Sequence, residues 1–288
     1  MLYLIRLISV LAIAFIYMLF DLFNKRNVPS IFVYGTVAYG VLLTILYFKL
    51  SIIGISALIA LIVFGIGYVL YKTGQLGAAD IFELAAISLI IPYQPTPFFN
   101  FIQYGFPFIF SLLINSGIIA LIILPIYYLP KYSKKYGSLL KINISKKDML
   151  KGSMFMIVYI LFLAFVTLHY GFNIISDSLI IILAVFSLIL FVFEKQILYA
   201  MVRYVPIDNI EDGDIIATNL IESKDIERLS KIEGFGRLAT DKQIKELKAM
   251  KFGDKLPVYK EAFPFALPIF LGVIAALLVG NIILLIIP

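Results

Sequence analysis

The 288-residue chain has no cysteine and a single histidine, His169. Without cysteine there is no disulfide, no thiolate nucleophile and no Cys-ligated metal. One histidine excludes a His-cluster metal site and weighs against a Ser-His-Asp triad. The apolar runs lack the short alternating pattern of a membrane β-barrel, which excludes that class. Internal repeats and low-complexity tracts are missing too, and the missing repeat counts against a secondary transporter.

What the chain does have is apolar sequence. It is 62% hydrophobic with a mean hydropathy of +1.01, far from ordinary soluble composition. A bilayer core of about 30 Å takes roughly 20 apolar residues per helix, and a lipid-embedded backbone must satisfy its own hydrogen bonds. The sequence predicts an all-α polytopic membrane protein with eight transmembrane segments. They lie near 2–20, 30–48, 52–71, 76–91, 105–129, 153–169, 177–201 and 263–287. The first carries Arg6 and is too long for a typical signal-peptide core, so it is expected to be a membrane helix.

Charge orients this array. The stretches 21–29, 72–75, 131–152 and 202–262, with their flanks, carry all but two of the 24 Lys and Arg residues; only Arg6 and Lys49 fall on the other side. The positive-inside rule makes those four stretches cytoplasmic and puts both termini outside. The expected location is the plasma membrane, with the uncharged aromatic loop 92–104 in the outer interface. A net charge of +6 is then explained by loop orientation and anionic lipid rather than by nucleic acid. The expected domains are 1–130 with both candidate aspartates, 131–202 with a basic loop and two further helices, 203–262 as a small cytoplasmic α+β module, and 263–288 as a last helix. Within the module, Asp212-Gly213 predicts a turn before a short strand. Thr240 with Gln243 three residues on predicts a helix N-terminus.

The carboxylates carry the chemistry. Asp21 ends the first segment and Asp80 opens the fourth, both at the cytoplasmic end. Pro92 should stop the fourth helix on the outside, which puts Asp80 about 18 Å from that side by helical rise. Two aspartates on different helices thus reach similar depth. Paired carboxyls share one proton: the ionised member activates water and the other donates to a developing oxyanion. Gly77, Ala78 and Ala79 leave room beside Asp80 for a substrate backbone or a neighbouring helix. Glu83 lies on the same helical face as Asp80, either tuning the pair or serving as a neutral structural carboxyl.

"GAAD" at 77–80 is similar to the G-x-G-D signature of membrane aspartyl proteases. "DLFNKRNVPS" at 21–30 is similar to the stretch after the first helix of prepilin peptidases. Ala79 stands where the signature has its second glycine; archaeal members often accept a small apolar residue there. "GDII", "GRLATDKQIKEL" and "FPFALPIFLG" extend a looser likeness toward the C-terminus. The chain thus resembles the archaeal prepilin and preflagellin (class III signal) peptidases. That resemblance implies cleavage of short basic leaders from pilin-like or archaellin precursors at the cytoplasmic face. It implies Asp21 and Asp80 as the catalytic pair, with no metal and no cofactor.

Other residues have plainer readings. Lys25 and Arg26 chiefly enforce orientation, with Arg26 also a candidate substrate contact. His169 reads as an interfacial histidine, and Asn115 and Ser116 as interhelical hydrogen-bonding groups. Ala266-Leu267-Pro268 resembles a substrate-binding element of presenilin-type proteases and equally fits a proline-limited helix start. The acids Asp208, Glu211, Asp212 and Asp214 read either as an attractor for basic leaders or as a solvated turn. Two rival functions remain: a presenilin-like protease cutting within a membrane helix, and a proton-coupled transporter using the aspartates as a relay.

Overall fold

The computed structural model describes residues 2–24, 27–46, 49–99, 106–137, 146–221, 227, 229, 237–249, 255–261 and 263–286, except for the side chains of 146–148. Every predicted apolar segment contains a helix. These are α1 (Leu2–Phe23), α2 (Ser30–Ile45), α3 (Leu50–Lys72), α4 (Ala78–Ile90), α5 (Phe108–Tyr136), α6 (Lys146–Tyr170) and α7 (Ile174–Val192). A short α8 (Glu194–Met201) follows directly, then β1 (Arg203–Pro206), α9 (Asp241–Ala249), β2 (Lys255–Val258) and α10 (Ala266–Leu278).

Among the described residues, five helices are long and apolar enough to cross a bilayer: α1, α3, α5, α7 and the Met149–Tyr170 part of α6. The chain is a helical membrane protein on that evidence. Three of the eight segments form shorter helices, with 16 residues in α2 and 13 each in α4 and α10. Thirteen residues rise only about 20 Å. Local sequence sets one end of each. Pro29 precedes α2 as its N-cap, and Pro92 lies two residues past the end of α4. Gly280, at φ +79°, turns the chain after α10 into a 3-10 turn at Ile282–Leu285.

Two boundaries differ from expectation. α5 runs through Pro125 and Pro130 to Tyr136, so Lys131, Lys134 and Lys135 ride on its last turns rather than in a loop. The segment predicted at 177–201 breaks at Phe193 (φ −106°, ψ 17°) into α7 and α8.

α4 is the hub. From Glu83 to Ile90 every residue is buried, enclosed chiefly by α1, α2 and α3. Close approach depends on glycine. A Cβ on Gly67 of α3 would lie 2.7 Å from Ile81 Cγ2, and one on Gly40 of α2 would lie 3.2 Å from the Ala86 carbonyl oxygen. α10 presses on α5 in the same way, since a Cβ on Gly272 would collide with Ser116 Oγ. The main apolar core draws Val10, Ala14 and Tyr17 from α1, Leu84 and Ile87 from α4, Phe108 and Leu112 from α5, and Ile269 and Val273 from α10. Asn115 adds a polar clamp by donating to the Gly280 carbonyl at 2.7 Å and accepting from the Ile282 N–H at 3.0 Å.

β1 and β2 pair antiparallel, with Arg203 opposite Val258. Together with α9 they enclose a separate apolar cluster that includes Val205, Ile216, Leu247 and Leu256. The turn at Asp212-Gly213 is present, with Gly213 at φ +86°. The strand expected after it reduces to single bridges from Ile215 to Leu238 and from Ile216 to Val258. Thr240 and Gln243 form the reciprocal cap: the Thr240 N–H donates to Gln243 Oε1 at 3.1 Å, and the Gln243 N–H to Thr240 Oγ1 at 3.5 Å.

Candidate functional site

Asp21 lies in the last turn of α1. Its Oδ2 accepts the Ala266 N–H at 3.1 Å, satisfying one of the N-terminal donors that a helix leaves unpaired. This ties α1 to the start of α10, within the Ala266-Leu267-Pro268 stretch noted in the sequence. The partial positive charge of a helix N-terminus there favours a carboxylate.

Asp80 occupies the first turn of α4, where its Oδ2 accepts the Gly77 N–H at 3.2 Å. The carboxylate folds back over Gly77 so closely that a Cβ there would sit 3.0 Å from Oδ2. Gly77 therefore makes room for Asp80 itself. Gly77 and Ala78 are exposed, while Ala79 is half-buried against the main core. Asp21 and Asp80 are both half-buried.

Glu83 sits one turn deeper in α4. It is 0% exposed, and neither carboxyl oxygen has a hydrogen-bond partner among the described residues. Asp80 and Asp21 are both close enough to act electrostatically on it. Glu83 and Asp80 act likewise on Tyr17 of α1, whose hydroxyl is shared with Thr36 Oγ1 of α2 at 3.1 Å. Three carboxyls and a phenol thus gather where the end of α1 meets the start of α4. Sequence reading missed Tyr17; the available signal was its position one helical turn before Asp21, on the same face.

The β1–β2 region touches this same end. Gly74, at φ +68° in the turn between α3 and α4, has Ile215 and Arg237 beside its Cα; a Cβ there would lie 3.4 Å from Ile215 Cγ2. The acids at 208–214, read either as an attractor for leaders or as a solvated turn, are engaged by neighbouring groups. Glu211 and Asp214 contact Lys260 Nζ at 3.1 and 2.8 Å. Asp212 accepts the Asp241 N–H, and Asp208 reaches Lys248 at 3.7 Å. Arg26 lies outside the described residues. His169 is exposed near the end of α6, its ring stacked on Phe165.

Among the described residues no group of three or more His, Asp or Glu is arranged to hold a metal ion. Asp21 and Asp80 are each half-buried, and both act electrostatically on the buried Glu83. Comparison with protein-family models, curated proteins and solved structures finds no match to this chain.

Proposed function

We propose that the chain is a membrane aspartyl endopeptidase of the prepilin or preflagellin type. It removes the short basic leader of a pilin-like or archaellin precursor at the cytoplasmic face. Water attacks the scissile carbonyl from between Asp21 and Asp80, one carboxyl accepting its proton and the other stabilising the oxyanion. No metal or cofactor takes part. The observation that carries this reading is the gathering of Asp21 and Asp80, from separate helices, around Glu83 at one end of the bundle. The basic stretches define that end as cytoplasmic, with both termini outside and 203–262 as the cytoplasmic module. On this reading all eight segments cross the plasma membrane, α2, α4 and α10 doing so with help from their flanking residues. Gly77, Ala78 and Ala79 border the substrate path, and Arg26 with Glu83 shapes it.

The test is cleavage of a panel of precursor peptides by the purified protein, read by mass spectrometry. Asp21→Asn and Asp80→Asn are each expected to abolish cleavage while expression and insertion persist. Retained cleavage by Asp80→Asn would sink the assignment. A second reading, a presenilin-like protease, draws on the contact between Asp21 and Ala266; a cut within the precursor's membrane helix, rather than beside its leader, would favour it. The buried Glu83 beside two other carboxyls also suits a proton relay. That third reading requires substrate flux in liposomes and no proteolysis.

A further inference from the structure

Of 24 basic residues, only Arg6 and Lys49 belong to the side opposite the carboxylates; Arg6 lines a cavity there, and Lys49 precedes the helix that supplies Ile52 to its wall. It measures about 140 Å³ and is lined by Tyr3, Arg6, Ile52, Ile90, Tyr93 and Gln94, among others. Arg6 is only 5% exposed, and its Nη2 donates to the Leu43 carbonyl of α2 at 2.5 Å. The guanidinium is therefore held between helices rather than extended toward bulk water. Lys49 is the exposed N-cap of α3, one turn before Ile52 in the cavity wall. Gln94 is fixed there by donating from Nε2 to the Ala276 carbonyl at 2.7 Å. Among the described residues no acid lines the cavity.

Position and surroundings narrow the ligand. Arg6 lies about 6 Å along α1 from its start, near one end of a helix long enough to cross a bilayer, and lipid headgroups lie at such ends. Apolar side chains on the two flanking helices are exposed: Leu4 and Ile8 on α1, Ile55 and Leu58 on α3. A free anion has no use for such walls, whereas a phospholipid matches both halves, with its headgroup in a basic pocket between helices and its chains along apolar helix faces.

We propose that this cavity binds the phosphate headgroup of an anionic phospholipid, with Arg6 as the phosphate ligand and Lys49 at the rim. The site is independent of the peptidase reading and lies at the other end of the bundle.

Native mass spectrometry of the full chain in detergent tests it, with dioleoylphosphatidylglycerol, dioleoylphosphatidylcholine and inorganic phosphate as probes. One phosphatidylglycerol per chain should be retained in preference to phosphatidylcholine. Arg6→Gln should weaken retention about tenfold, the loss of one charge-assisted contact. Arg6→Lys should restore most of it, and Lys49→Gln should weaken it less than Arg6→Gln does. Ile52→Trp, which fills the cavity and leaves Arg6 in place, should exclude the lipid and covers the case in which Arg6→Gln fails to fold. Inorganic phosphate at the same concentration should leave the bound lipid in place. Equal retention by folded Arg6→Gln or by Ile52→Trp, equal retention of the two lipids, or displacement by phosphate would each overturn the proposal.

Discussion

Replacing Glu83 by methionine should make the protein more stable. The side chain is fully buried with both oxygens unpartnered among the described residues. In protein interiors an unsatisfied buried polar group costs about 1–3 kcal/mol. Methionine has nearly the same length and shape, and its flexible thioether fits an irregular space, so repacking should take back less than about 1.5 kcal/mol. The expected gain is about 1–2 kcal/mol. At about 2–4 °C per kcal/mol for a chain approaching this size, Glu83→Met should melt about 2–8 °C higher. Glu83→Gln provides the control, because its amide meets the same unpartnered surroundings and should shift the melting temperature little. The assay is thermal unfolding by far-ultraviolet circular dichroism in one detergent at one scan rate, since membrane proteins often unfold irreversibly. A Glu83→Met variant that expresses normally yet melts at or below the wild type would refute the reasoning. If Glu83 shapes the carboxylate site, the gain in stability should come with slower cleavage, the usual exchange at functional positions.

Asp21 should separate into two roles. Asparagine caps helices about as well as aspartate, so Asp21→Asn should keep the contact to Ala266 and the melting temperature; Asp21→Ala should lose about 0.5–2 kcal/mol. On the peptidase reading cleavage should vanish in both; equal melting of the two variants would remove the structural role. Gly272→Ala should destabilise by about 1–3 kcal/mol through overpacking against Ser116, and an additional Ser116→Ala should recover part of the loss in the same melting assay. Lys260 supplies a pH dependence. Partial burial lowers its pKa, but the hydrogen bonds to Asp214 and Glu211 outweigh burial and raise it above 10.5. Its stabilising contribution is then complete below pH 10.5 and lost as pH rises through the higher folded value. The urea midpoint of the wild type should therefore fall toward that of Lys260→Met across this range, and parallel pH curves for the two proteins would count against it.

The sequence revealed the helices because apolar runs and charge asymmetry are local signals. It located α1 and α3 within a few residues, and it anticipated the stop of α4 from Pro92. The short lengths of α2, α4 and α10 were less visible, since hydropathy reports what a segment tolerates and not where its helical hydrogen bonds end. The continuation of α5 past Pro130 was hidden for the opposite reason: packing against α10 and α8 holds a helix that local propensity would break. At the candidate site, depth arithmetic put Asp21 and Asp80 at one end. The fold of Asp80 over Gly77 is a local contact over three residues, whereas the link from Asp21 to Ala266 and the Tyr17–Thr36 contact depend on tertiary approach. No spacing in the sequence encodes those two. The ion pairs of the acids at 208–214 were not visible in the sequence because their lysines, Lys248 and Lys260, lie far along the chain.

The hydrogen bond between Asp21 and Ala266 spans 245 residues, and that separation imposes an order on biogenesis. During synthesis α1 inserts early, but the backbone donor that fixes its aspartate does not exist until α10 has left the ribosome. At about 5–20 residues per second this delay lasts on the order of ten seconds or more. Throughout it Asp21 lacks the Ala266 donor, because the N-terminus of α10 that it caps has not yet formed. A nascent chain arrested before α10 should carry both aspartates in the membrane and still lack the assembled site.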